Sequence, residues 1–67
     1  MKAQSKARTT AEQVLRTSRP YEIPDTYVIE ELQGHEFYDD RDQWCCVFPD
    51  GSAVRLQDNV GLAFFWE

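Results

Sequence analysis

The stretch Gln43-Trp44-Cys45-Cys46-Val47-Phe48-Pro49-Asp50-Gly51 constrains the fold of this chain more than any other. Five apolar residues run without a polar break and then meet a turn signal. A strand with one wet face alternates apolar and polar residues. Here Trp44, Cys46 and Phe48 would share one face, and Cys45 and Val47 the other, so both faces demand cover. Proline and glycine at Pro49-Asp50-Gly51-Ser52 predict a tight turn. Beyond it, Ala53-Val54-Arg55-Leu56-Gln57 alternates properly, so residues 43–57 read as a β-hairpin.

The same reading extends a meander around this hairpin. Thr26–Leu32 is rich in β-branched and aromatic residues. Gln33-Gly34 punctuates it, His35–Tyr38 is a short strand, and Asp39–Asp42 is a polar turn. Asp58–Gly61 turns again before Leu62–Trp66. The expected architecture is mainly β (α+β): a short N-terminal helix, then a four- or five-stranded antiparallel meander over 26–66, as a curved sheet or a small barrel.

Upstream, residues 1–8 carry no large apolar side chain after Met1 and read as a flexible basic arm, with residues 9–67 as one small globular domain. Thr9 and Glu12 have capping-box spacing. Ala7, Ala11, Val14 and Leu15 fall on one helical face, and Ser18-Arg19-Pro20 ends the pattern, predicting a helix over about 9–18. Residues 19–25, with two prolines, form an extended connector from which Tyr21 and Ile23 can reach the core. The helix face Ala11/Val14/Leu15 is one candidate cover for Cys45 and Val47; a partner protein is the other.

Size bounds the function. A domain of about 60 residues buries only roughly 60% of its unfolded surface, and nine aromatics among 67 residues suit a compact core. A deep catalytic pocket is hard to wall with so little chain. No catalytic set or cofactor motif stands out, so no enzyme activity and no cofactor is expected. Two adjacent cysteines make no disulfide framework, and with one histidine they do not complete a zinc site. Their acidic neighbours disfavour a thiolate. His35, Glu36, Asp39, Asp40 and Asp42 are the remaining metal-ligating types. Alternation divides them between faces, without EF-hand or H-E-x-x-H spacing, so no metal site is assigned. No apolar run follows Met1 and none approaches membrane-spanning length, which predicts a reduced, cytoplasmic, membrane-free protein.

Charge is segregated. Residues 1–19 hold five basic residues against one acid, a net +4; residues 20–67 hold two against eleven, a net −9. An acidic body attracts basic protein surfaces and repels nucleic acid. The expected function is therefore a small acidic, non-enzymatic interaction module: an inhibitor, adaptor or small subunit binding a larger protein through an apolar sheet face or edge and acidic loops. Small acidic chains of this kind are frequent among inhibitors from phages and mobile elements. Candidate anchors are Trp44, Phe65 and Trp66, with Glu36, Asp39, Asp40 and Asp42 steering toward a basic surface. A terminal strand is also a natural edge for pairing with a second copy. The alternative is a nucleic-acid-binding module, with Lys2, Lys6 and Arg8 on phosphates and sheet aromatics stacking bases.

Overall fold

The computed structural model describes the backbone of residues 2–65 and the side chains of residues 9–65. Two helices, α1 (Lys2–Thr17) and α2 (Thr26–Glu31), precede four strands, β1 (His35–Tyr38), β2 (Trp44–Val47), β3 (Ala53–Gln57) and β4 (Gly61–Phe64). The strands pair antiparallel in the order β1-β2-β3-β4. The fold is thus mainly β with some helix, an open antiparallel meander rather than a closed barrel.

The hairpin of β2 and β3 forms as its turn chemistry requires, with Val47 opposite Ala53 and Cys45 opposite Arg55. Phe48 donates its amide to the Ser52 carbonyl and Gly51 to the Phe48 carbonyl. Asp50 then acts twice. Its Oδ1 accepts the Ser52 amide at 2.8 Å, closing the turn. Its Oδ2 accepts both the amide and the hydroxyl of Thr10, tying α1 to the hairpin. Burial pushes the Asp50 carboxyl up, but the hydrogen bonds from Thr10 and Ser52 outweigh it and hold it below the ordinary carboxylate range.

Two expectations about helices need correction. Helix α1 begins at Lys2, so Thr9 lies inside it rather than capping it; Lys, Ala, Gln and Arg in this segment are good helix formers and carry the helix upstream. Residues 26–32, expected as a strand, form α2 instead. Leu32 lies three residues after Ile29 and four after Val28, spacings that put it beside both on one helical side, and Ile29 and Leu32 join the core. The helix ends in a Schellman arrangement. Gly34 donates to the Ile29 carbonyl at 2.8 Å and Gln33, at φ 60°, to the Glu30 carbonyl at 3.1 Å. The Gln33-Gly34 pair therefore ends a helix, not a strand.

One face of the sheet carries the main core. Ala11 and Val14 of α1 and Ile29 of α2 pack with Trp44, Cys46, Phe48 and Val54. Leu15, Leu32, Leu56, Leu62 and Phe64 border this cluster. Helix α1 thus covers the Trp44/Cys46 side of β2, not the Cys45/Val47 side that it was expected to protect. The connector does not bring its large side chains inward either: Tyr21 and Ile23 are exposed, and Pro24 is buried. It fastens instead by backbone, with the Leu62 amide donating to the Pro20 carbonyl. Gly61, at φ 88°, lies against that carbonyl, where a Cβ would collide.

Gly34, just after α2, packs closely against the sheet. A Cβ there would stand 2.6 Å from Cys46 Sγ and 2.7 Å from Phe48 Cε1, both side chains being buried. Gly34→Ala is therefore expected to cost about 1–3 kcal/mol by overpacking, read as a lowered urea midpoint with an unchanged slope. Asp50→Asn tests the α1–hairpin tie. The folded-state carboxyl titrates below its unfolded value, so its stabilisation is present at neutral pH and lost as pH falls through the folded value. The variant should be less stable than the wild type by about 1 kcal/mol at pH 7, and the gap should close toward pH 2. A gap independent of pH would contradict the assignment.

Candidate functional site

The second sheet face has no described helix over it. Alternation places His35 and Phe37 of β1, Cys45 and Val47 of β2, and Ala53, Arg55 and Gln57 of β3 on this side, with Phe65 following β4. Cys45, Ala53 and Phe65 form a small buried cluster bordered by Phe37 and Val47. The face thus covers part of itself with its own side chains. Phe65 is held there by its amide, which donates to the Ala53 carbonyl at 2.9 Å.

A compact set of polar contacts braces this layer. The Arg55 guanidinium stacks on the Phe65 ring, with Cζ 4.1 Å from the centroid. Arg55 Nε stands 3.3 Å from Asp39 Oδ2. This buried nitrogen makes no hydrogen bond, so its pairing with Asp39 is ionic. Asp39 Oδ1 accepts the amides of Arg41 and Gln43, each at 2.9 Å. The Gln43 amide above all holds the Asp39 carboxyl below the ordinary range; the Arg41 amide and the charges of Arg55 and Arg41 add to this against partial burial. Asp42, at φ 64°, completes the turn. Phe37 lies 6.4 Å from Phe65 and 6.2 Å from His35, ring centroid to ring centroid, forming an aromatic row.

The anchors expected from sequence separate in space. Trp44 is 3% exposed and belongs to the helix-covered core, where its Nε1 donates to Glu36 Oε1 at 3.0 Å. Phe65 belongs to the open side but lies largely beneath Arg55. Trp66 lies outside the described residues, as do the side chains of Lys2, Lys6 and Arg8. Asp40 and Asp42 are exposed in the β1–β2 turn, whereas Asp39 is turned inward to Arg55. Sequence reasoning put Val47 with Cys45 on a face needing cover but did not join His35, Phe37 and Arg55 to that surface. A signal was present in β3: with Val54 and Leu56 facing the core, its alternation sends Arg55 and Gln57 to a side that cannot be wholly apolar. Tyr27 and Tyr38, also overlooked, are exposed large side chains.

The two cysteines are free and fully buried on opposite faces. Burial, with smaller contributions from Glu36 and Cys45, pushes the Cys46 thiol up to about 11, so it stays protonated at neutral pH. Among the described residues, no group of three or more His, Cys, Asp or Glu is placed to hold a metal ion. Nor is any helix among them long and apolar enough to cross a membrane. A scan against protein-family models finds no match, and searches of curated proteins and of solved structures find no significant similarity.

Because both sulfurs are enclosed and reactivity needs an accessible thiolate, neither cysteine should react with a thiol reagent at pH 8 at a rate faster than unfolding. Urea should expose both together. Rapid labelling of the native protein would show that one sheet face opens locally.

Proposed function

We propose that this chain is a non-enzymatic protein-interaction module, an inhibitor, adaptor or small subunit, which engages a larger protein through the open face of its sheet and the adjoining β1 edge. The observation that carries the reading is the second sheet face: His35 and Phe37 with Val47 beside them, backed by the buried Phe65, and no described helix above. Rigid aromatics on a sheet supply contact area at low entropic cost, and aromatic residues are enriched where interfaces concentrate their energy.

The β1 edge supports the same reading. Asp39 donates to the Gln43 carbonyl, so the residues alternating with it direct their backbone groups toward β2, while Glu36 and Tyr38 direct theirs outward. Such an edge can accept a strand from another chain. Glu30 and Glu31 precede it, and Asp39, Asp40 and Asp42 follow it. A basic segment complements these acids. A second copy paired antiparallel would bring acids against acids, so a basic partner fits this edge better than self-association.

Affinity capture from host extract, with wild type and Phe37→Ser compared, tests the proposal. Phe37 is half-buried at the border of the small cluster, so the variant should stay folded while losing the captured protein. Asp40→Asn/Asp42→Asn should slow association mainly at low salt, as expected of steering charges. Equal capture by wild type and Phe37→Ser would defeat the reading. Tight, salt-sensitive binding to single-stranded nucleic acid that survives Phe37→Ser would favour the basic N-terminal segment as the functional element instead.

A further inference from the structure

Arg41 and Arg55 are the sole basic residues after Arg19, and the fold brings both to one cleft. This cleft, about 280 Å³ in volume, lies where the β1–β2 turn, the end of β3 and the turn after it meet; Gln43, Gln57 and Asn59 also line it. Like charges gathered from a pool of two, in a body of eleven acids, are not what an even distribution of charge would produce.

Arg55 is preorganised. Phe65 supports one face of its guanidinium at 4.1 Å, and Asp39 Oδ2 stands 3.3 Å from its Nε. Asp39 is itself fixed by two amide donors on its other oxygen, one of them from Arg41. The same carboxylate therefore orients one arginine side chain and the backbone of the other. A guanidinium already held in place loses less freedom on binding, and its planar donors match a carboxylate or phosphate. The carboxamides of Gln43, Gln57 and Asn59 can add neutral donors. Asp58 also lines the cleft, and the exposed Asp40 and Asp42 flank Arg41 in sequence, so nearby carboxylates set a modest affinity.

We propose that this cleft binds a small oxyanion, a carboxylate or a phosphate group, through Arg41 and Arg55. The inference does not rest on the partner reading: the cleft borders the same sheet face through Arg55 and Phe65, but it offers positive charge and a different ligand.

Nitrogen–proton NMR spectra of the full chain, titrated with acetate and separately with inorganic phosphate against chloride at constant ionic strength, provide the test. Saturable shifts are expected at the Arg41 and Arg55 Nε–H signals and the Gln43 and Gln57 side-chain amides. Arg41→Gln should weaken the response about tenfold, the loss of one charge-assisted contact. Gln57→Glu, which places a carboxylate in the cleft while leaving Arg41 intact, should abolish it. A larger response to acetate assigns the cleft to carboxylates, and a larger response to phosphate assigns it to phosphorylated ligands. Shifts that chloride reproduces, that never saturate, or that persist unchanged in both variants would overturn the proposal.

Discussion

The architecture depends on strand β2, which is apolar on both sides although the described helices lie on one face of the sheet alone. Trp44 and Cys46 face α1 and α2, and Phe48 packs with them; Cys45 and Val47 face away. A strand buried on both faces usually needs a complete layer on each. No described helix supplies the second layer, and side chains of the sheet itself make a thin one. Phe65 folds over Cys45 and Ala53, Arg55 lies over Phe65, and Asp39 holds Arg55. An ion pair, a stacked ring and two amide hydrogen bonds thus stand where a larger protein would place a helix.

Aspartates carry much of the polar construction. Asp39 organises the turn before β2 and reaches across to β3. Asp50 organises the turn after β2 and reaches across to α1. Each accepts local amide donation with one oxygen and engages a long-range partner with the other, Asp39 by an ion pair and Asp50 by hydrogen bonds, and each carboxyl is held below its ordinary range. These carboxylates explain part of the acidity in structural terms, whereas Asp40 and Asp42, like Glu30 and Glu31, are exposed charges beside β1. Net charge alone would have treated all four aspartates alike.

The two sheet faces also divide labour. The helix-covered face contributes most of the buried apolar surface and the close approach at Gly34. The other face keeps half-buried aromatics and borders a cleft lined by Arg41 and Arg55. A surface of this kind can meet another molecule without loosening the main core, because the core lies on the opposite side of the sheet.

Much of this fold was legible in local sequence. The hairpin of β2 and β3, the turn at Pro49–Ser52, strand β1 and the apolar stripe Ala11/Val14/Leu15 all follow from alternation, helical spacing and turn chemistry, which act over a few residues. Residues 26–32 were not legible, because β-branched content and a following glycine suit a strand as well as a short helix; burial of Ile29 against the sheet and the backbone bonds of Gln33 and Gly34 decided for helix. The candidate surface was only partly legible: period-two alternation divides β1, β2 and β3 into two faces, but it does not say which face the helices take. The sequence by itself determined that β2 must be covered twice and that the body is acidic. Only tertiary structure decided that α1 covers Trp44 and Cys46, and that Phe65, Arg55 and Asp39 cover Cys45. Those contacts join residues far apart in the chain, and their geometry is set by packing that no local pattern encodes.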